Sequence, residues 1–402
     1  MARPPFTASF TQQVPIPEAG IAAAVAVMRT GRLHRYNTAP GEEAETVALE
    51  REFAAWQGAP YCLALASGGQ AMQIALRAAG VVPGDTILTN GFTLAPVPGA
   101  IAAVGGVPIL VEITEDLVID LDDLATKATS SGARYLLLSN MRGHLCDMDR
   151  LMAIAATLNL TVIEDCAHTM GAAWNGRWSG NFGLSGCFST QTYKHLNSGE
   201  GGVLTSHDPE FMARAIMLSG SYMLFERHGA APPAEVFAEI RYQTPNMSAR
   251  MDNLRAALLR PQLAGIAGSI AAWNARHDRL AATLLLIPGI AMADRPASET
   301  YVGSSIQFRL PGIAPGAARG LVAGLAAVGV EVKWFGSAEP VGFTSAHQSW
   351  RFVAPQNMPQ TDAILAGLFD MRLPLTFTLD DCDLIAAHIG DAVLALRLEG
   401  KL

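Results

Sequence analysis

Lys194 ends the run Cys187-Phe-Ser-Thr-Gln-Thr-Tyr-Lys194, in which no other residue is charged, and Ser198-Gly-Glu-Gly-Gly202 follows directly. Aromatic and small neighbours desolvate a lysine there, and desolvation favours the uncharged amine. Such an amine can condense with an aldehyde to a Schiff base. Taken alone, the segment is equally compatible with an ordinary surface lysine. About thirty residues earlier, Thr161-Val-Ile-Glu-Asp-Cys-Ala-His168 sets Asp165 and His168 just past an apolar run. A half-buried carboxylate there can hold a cationic nitrogen; it can equally cap the next turn, with the histidine satisfied in the core. Ala66-Ser-Gly-Gly-Gln-Ala71 opens a helical pattern whose first N–H groups suit a phosphate, or are plainly capped. Phe92, in Thr89-Asn-Gly-Phe-Thr93, can stack on a planar ring or fill a core.

These residues need strands that end together. Apolar β-type runs alternate with alanine-rich helical stretches from about residue 60, the rhythm of an α/β domain. Ser67 to Ala79 reads as a helix with Met72, Leu76 and Ala79 on one face; Asp85 to Asn90 and Pro108 to Glu112 read as strands around a helix from Pro98 to Val104. Helix Leu121 to Ser130, strand Tyr135 to Ser139, helix Asp149 to Leu158 and strand Leu160 to Glu164 continue the alternation, and functional groups belong at such strand ends. Cys187 to Thr190 and Gly201 to Ser206 are expected to pair antiparallel through the loop carrying Lys194, with a helix from Pro209. Ser221 to Pro245 shows no periodicity and is expected to be an irregular excursion. Met251 to Leu286 is helical with an interruption at Pro261. The expected division is an N-terminal segment and large domain over residues 1–265, and a small α+β domain over 266–402.

Composition narrows the classes further. The 402 residues are 50% hydrophobic and only 16% charged, which disfavours disorder. Twenty-eight Lys and Arg against 36 Asp and Glu leave a net charge of −8, with no basic run for a phosphate backbone, so no nucleic-acid partner is expected. Five scattered cysteines (Cys62, Cys146, Cys166, Cys187, Cys382) without a C-x-x-C pair point to neither a disulfide framework nor a zinc site, and with no secretory start the expected compartment is the cytoplasm. The uncharged stretch Gly91 to Val111 is long enough to cross a bilayer, but Pro96, Pro98 and Pro108 with three glycines would break a lipid-exposed helix, so no membrane partner is expected. Neither H-E-x-x-H nor G-x-x-x-x-G-K-[ST] occurs.

The order of these pieces is more specific than any one of them. Across Ser67 to Ala79, Pro83 to Asp122, Gly143 to Ser206 and Arg250 to Leu263 the chain resembles the DegT/DnrJ/EryC1/StrS aminotransferases, pyridoxal phosphate enzymes of fold type I, with Glu164-Asp-Cys-Ala-His, Cys187-Phe-Ser-x4-Lys and Ser198-Gly-Glu-Gly-Gly as the shared motifs. The resemblance implies a mixed, mostly parallel sheet between helices plus the smaller C-terminal α+β domain. It also implies pyridoxal 5'-phosphate as cofactor, Lys194 as its covalent anchor and proton shuttle, and Asp165 as partner of the pyridinium nitrogen. By the same resemblance His168 sits near the ring oxygen and Phe92 stacks on the ring. Ser189 and the backbone of Gly68, Gly69 and Gln70 bind the phosphate, and Ser248 stands where relatives place an asparagine that reaches in from a second subunit, with Asn246 nearby. The implied reaction moves an amino group by a ping-pong route from L-glutamate or L-glutamine to a keto sugar, keto cyclitol or related carbonyl, in a homodimer. A lyase or dehydratase, and a non-catalytic regulator on the same fold, are the alternatives. Three departures stand out: Gly68-Gly69 replaces the usual Gly-Thr, Ser248 replaces asparagine, and Asn140-Met-Arg-Gly143 replaces His-Leu-Tyr-Gly, putting Arg142 where relatives have tyrosine. Arg142, Arg227 and Arg250 are by chemistry alone candidates for the donor carboxylate, and the small domain, including Lys333-Trp-Phe335 and Arg372, is by position and composition a candidate to close on the substrate.

Overall fold

In the computed structural model, which describes residues 3–342 and 345–402, the alternating runs form the expected strands and helices. Helices α1 (Glu18–Thr30) and α2 (Glu45–Gln57) precede β1 (Tyr61–Leu65). Then follow α3 (Gly68–Ala78), β2 (Thr86–Asn90), α4 (Pro96–Ala103), β3 (Val107–Val111), α5 (Leu121–Ser131), β4 (Tyr135–Ser139), α6 (Met148–Leu158) and β5 (Thr161–Asp165). A two-residue hairpin, β6 (Ala173–Trp174) and β7 (Arg177–Trp178), leads to β8 (Ser185–Ser189) and β9 (Gly202–Ser206).

Seven of these strands form one sheet in the order β1-β9-β8-β5-β4-β2-β3. From β8 to β3 every pairing is parallel, while β9 lies antiparallel to both its neighbours. The antiparallel expectation for the two strands around Lys194 therefore holds. A parallel sheet is covered on both faces, so its strands read as unbroken apolar runs. Alternation decides which side chain goes where: Leu137 and Ile163 pack under α3 and α4, whereas Leu136, Leu138 and Val162 pack on α5 and α6. The crossover from β5 to β8 is held by the fully buried Glu164, whose carboxylate accepts the backbone N–H groups of Gly180, Phe182 and Gly183 at 2.8 to 2.9 Å.

Helices α7 (Pro209–Ser219), α8 (Phe237–Gln243), α9 (Asn253–Ala264) and α10 (Ile266–Leu284) lead into the C-terminal part. There β10 (Glu299–Thr300) joins the β6–β7 hairpin, and β11 (Ser305–Arg309), β12 (Lys333–Trp334) and β13 (Leu368–Arg372) make a second sheet in the order β11-β13-β12. Helices α11 (Pro315–Ala327), α12 (Pro359–Ala366) and α13 (Leu379–Leu398) complete this α+β region. Its core also takes in Phe6 and Phe10, each set edge-on to Phe377, so the start of the chain packs with its end.

Two expectations are corrected. Ser221 to Pro245 is not wholly irregular: it holds α8 and two 3₁₀ turns, because Phe237 stacks on Phe225 at 4.2 Å over α7. Tertiary packing makes a helix of seven residues that has too few turns to show a period. The long helical pattern breaks at Gly265 rather than Pro261, which lies inside α9. A proline near a helix end forfeits one hydrogen bond, whereas Gly265 lets its N–H turn back onto the carbonyls of Pro261 and Gln262. The uncharged stretch from Gly91 to Val111 contains α4 and β3, and no helix among the described residues is long and apolar enough to cross a membrane.

Glu164→Ala is expected to destabilise the protein by about 3 kcal/mol or more, since three buried N–H groups lose their acceptor. Urea denaturation followed by circular dichroism checks this; a loss below about 1 kcal/mol would mean that the crossover does not depend on that carboxylate.

Candidate active site

Because β1, β8, β5, β4 and β2 run the same way, the loops after them converge, and ligands of open parallel sheets bind in that crevice. Here it is a cavity of about 540 Å3. Ser67, Gly68 and Gly69 line it after β1, and Ser189 and Gln191 after β8. Asp165, Ala167 and His168 line it after β5, Met141 and Arg142 after β4, and Thr93 and Leu94 after β2. Tyr193, Lys194, Glu200 and Arg372 close the wall.

One end is built for an anion. Ser67 caps α3, its hydroxyl accepting the Gln70 N–H at 3.1 Å, and the first N–H groups of a helix have no acceptor within it. Gly68 is required by close approach: a Cβ there would lie 2.8 Å from the Ser189 Cβ. A side chain would push the helix start off Ser189 and fill the cradle.

Asp165 is the last residue of β5 and stands in register with Ser139 at the end of β4. One carboxylate oxygen accepts the Ala167 N–H at 3.1 Å, the other the Ser139 hydroxyl at 3.3 Å. Ser139 is itself held, its N–H donating to Asn90 and its carbonyl accepting from the Asn90 amide, with Thr93 Oγ1 2.6 Å from its own Oγ. Burial pushes the Asp165 carboxyl above the usual range, against the pull of Lys194, the N–H and the hydroxyl. A cation placed against it would restore the carboxylate.

Lys194 Nζ lies 2.7 Å from His168 Nε2. Burial first, then Arg142, lowers the amine to about 7, with Asp165 opposing. His168 is held well below its ordinary value by burial and by Lys194 and Arg142, so its ring is neutral. Its Nδ1 accepts the backbone N–H of Arg142 at 3.2 Å, which assigns the ring proton to Nε2. The Nε2–H then donates to an uncharged Lys194 amine, consistent with its depressed basicity.

Arg142 adopts φ +56° in the turn Met141–Gly143, an uncommon conformation for a residue with a side chain, and this aims its guanidinium into the interior. It pairs with Asp370 on β13 at 2.8 Å, both side chains nearly inaccessible. Gln307 donates to the other Asp370 oxygen at 2.8 Å, and His144 Nε2 sits 2.9 Å from the Gln307 carbonyl oxygen. Arg372, also on β13, lays its guanidinium 3.8 Å from the Tyr193 ring centre.

The cavity thus brings together Gly68, Gly69, Asp165, His168, Ser189 and Lys194. Phe92 is a correction: it is buried in the core, edge-on to Phe335, and Leu94, two residues on, lines the wall in its place. Residues 91–93 bend instead of continuing the extended strand, so strand alternation does not fix which side chain meets the cavity, and only the fold decides it. The Gln70 side chain does not line it either; only its N–H takes part, in the Ser67 cap. Ser248 is exposed and outside the cavity, bonded to Asn246. Arg227 binds Thr38, and Arg250 binds the Gly220 carbonyl, so of the three arginines considered for the donor carboxylate only Arg142 reaches the cavity. Residues not singled out beforehand include Ser139, Asn90, Thr93 and Leu94, and for Ser139 the signal was its place at the end of an apolar strand.

The chain and its fold are similar to those of known proteins. The family model described as DegT/DnrJ/EryC1/StrS aminotransferase family matches residues 18–390. The 3-amino-5-hydroxybenzoate synthase of Amycolatopsis mediterranei (strain S699) is 29% identical over 338 residues, covering 80% of this chain and 82% of that protein. The L-glutamine:scyllo-inosose aminotransferase of Streptomyces griseus is 30% identical over 269 residues, 66% of this chain and 63% of that one. A crystal structure of 3-amino-5-hydroxybenzoic acid synthase superposes with a TM-score of 0.81 at 25% identity, covering 96% of this chain and 99% of the other.

A free-base lysine is directly measurable. Reductive methylation of Lys194 in the cofactor-free protein, read by peptide mass spectrometry, is expected to rise with pH around a midpoint of about 7 rather than near 10.5. A midpoint shared with the surface lysines would refute the depressed amine.

Proposed function

The chain belongs to the DegT/DnrJ/EryC1/StrS aminotransferase family, and from that premise we propose that it is a pyridoxal phosphate-dependent aminotransferase. Its reaction carries an amino group from an amino acid, L-glutamate or L-glutamine, to the carbonyl of a keto sugar, keto cyclitol or related compound. The observation that carries the reading is the joint presence in one cavity of a lysine hydrogen-bonded to a buried histidine, a buried carboxylate and a helix start cradled by glycine.

The residues fit the cofactor on their own chemistry. The hydrogen-bond partners of Asp165 are a neutral hydroxyl and a backbone N–H, so its charge is left to be matched by a cation such as a protonated ring nitrogen. The Gly68 cradle beside Ser189 suits the phosphate, and Leu94 with Val97 offers an apolar wall in place of a stacked aromatic ring. When bound, the cofactor supplies an aldehyde for amines and a ring that takes up the electron pair left on a deprotonated carbon.

The protein's own part is then defined residue by residue. Lys194 would hold the cofactor through its amine, and with its basicity lowered to about 7 that amine can take up and return a proton at a donor α-carbon near neutral pH. Asp165 would pair with the ring nitrogen, kept in line by Ser139 and Ala167. His168 directs the Lys194 amine through Nε2. The acceptor half of the reaction runs through the same groups in reverse. Ser248, exposed and with φ +51°, is proposed to serve the phosphate of a second copy's site, which makes the working unit a homodimer.

The test is the visible absorption of the purified protein with added pyridoxal phosphate, before and after L-glutamate, L-glutamine and L-alanine, beside Lys194→Ala. A cofactor band that bleaches with one donor, and that Lys194→Ala lacks together with turnover, is the expected result. A band that no donor bleaches would favour a lyase, and a fully active Lys194→Ala would overturn the assignment.

A further inference from the structure

A second cavity, of about 490 Å3, shares no lining residue with the first. One wall is a face of α10 and the residue that ends it, where His277, Ala281 and Leu285 recur every four positions; the chain from Met292 to Tyr301 forms another, and His144 and Gln307 complete it. The hydrogen bonds around it fix which atoms remain unused. Gln307 gives its amide N–H groups to Ser305 and Asp370, so its carbonyl oxygen takes the Nε2–H of His144 at 2.9 Å. The lone pair of that ring is then on Nδ1. His277 Nδ1 lies 3.2 Å from the Asp278 carboxylate, which makes it the donor and leaves the lone pair on Nε2. Both rings are neutral: His144 is held well below its ordinary value and His277 is lowered to about 4, in each case by burial first and then by Arg295. Arg295 donates from Nη1 to the Gly143 carbonyl at 3.1 Å and to Glu299 at 2.8 Å, and lies 4.6 Å from the Tyr301 ring centre. Its buried Nη2 has no acceptor among the described residues.

We propose that this cavity is a second, non-catalytic binding site for a neutral or ammonium-bearing polyhydroxylated ring, a sugar or a cyclitol. The unused groups are two imidazole lone pairs and one guanidinium N–H. A hydroxyl both donates and accepts, so a ring carrying several of them meets all three. A carboxylate or phosphate only accepts, and would set its oxygens against the two lone pairs. Charge points the same way. Arg295 is paired with Glu299, and the other charged lining residues are the exposed carboxylates Asp278 and Asp294, which repel an anion and attract an ammonium. Ala281, Leu285 and Met292 supply apolar surface for the C–H face of such a ring, and the volume is that of a small-molecule site. The site also bears on the catalytic cavity. Arg295 holds the Gly143 carbonyl, and His144 reaches Asp370 through Gln307, so its walls clasp the turn that carries Arg142. A ligand that donates to His144 Nδ1 makes the Nε2–H a stronger donor to Gln307, because linked hydrogen bonds polarise one another. Filling the cavity therefore steadies that turn.

The test must separate this cavity from the catalytic one. myo-Inositol, D-glucosamine and D-gluconate are titrated by calorimetry into the cofactor-loaded protein after borohydride reduction, which fixes the cofactor on Lys194 and stops amine exchange. The same titrations are made with His277→Phe, which keeps a ring and removes its lone pair, and with Ala282→Trp, which places bulk in the cavity from an exposed position of α10. Circular dichroism melts verify that each variant folds. Binding of myo-inositol and D-glucosamine to the wild type is expected to be about tenfold weaker in His277→Phe, as for one lost hydrogen bond, and absent in Ala282→Trp, with no binding of D-gluconate. Amide hydrogen exchange read by mass spectrometry is expected to slow with myo-inositol over residues 141–145 and 292–301, and to stay unchanged over 67–72 at the catalytic cavity. Absence of binding to the wild type, equal binding by Ala282→Trp, D-gluconate binding as tight as myo-inositol, or protection confined to residues 67–72 would overturn the site. A protein that takes up no cofactor fails the aminotransferase reading alone, and the titrations are then made on it directly.

Discussion

Holding an amine and a carboxylate in one desolvated cavity is the constraint on which the rest of this molecule depends. Each group alone would be driven toward neutrality, Lys194 by losing its proton and Asp165 by gaining one. The protein compensates unequally. Asp165 receives a hydroxyl and an N–H, enough to orient it without replacing a cation, whereas Lys194 receives the Nε2–H of a histidine whose own tautomer is set by a backbone N–H. The pair is therefore poised for a ligand that brings positive charge to the carboxylate and an electrophile to the amine.

That poise is a property of sheet geometry. Parallel pairing of β4 with β5 puts Ser139 opposite Asp165, and parallel pairing of β5 with β8 brings Ser189 to the same end of the sheet. The single antiparallel strand, β9, returns the chain so that the Lys194 loop folds over the cavity instead of away from it. Glu164 faces the other way from Asp165 and spends its carboxylate on three backbone N–H groups of the crossover. Adjacent acids on one strand thus divide between structure and chemistry, as period-two alternation dictates.

The second sheet reaches the site through β13. Asp370 takes the Arg142 guanidinium, Gln307 links Asp370 to His144, and Arg372 leans on Tyr193 beside Lys194. A buried ion pair contributes little net stability, but removing one partner strands the other, so it fixes how the two parts of the chain meet. The joining of Phe6 and Phe10 to the C-terminal core adds an apolar clasp at the far side.

What the sequence determined by itself was local. Strand Tyr135–Ser139, helix α3 with its Ser67 cap, and the order of the motifs around Ser67, Asp165 and Lys194 follow from apolar runs, caps and glycines that act within a few residues. That Lys194, Asp165, His168 and Ser189 are neighbours was legible only through the family resemblance of their motifs, and the fold brings them together because each ends or follows a strand of one sheet. Tertiary structure alone decided that Leu94 and not Phe92 meets the cavity, that Ser248 lies outside it, and that Arg142 rather than Arg227 or Arg250 enters it. It likewise decided that Arg372 joins Arg142, although far apart in the chain, and that α9 runs through Pro261 to Gly265. Which way a loop side chain points, and which distant strand ends beside it, depend on packing between elements, and no local pattern encodes that.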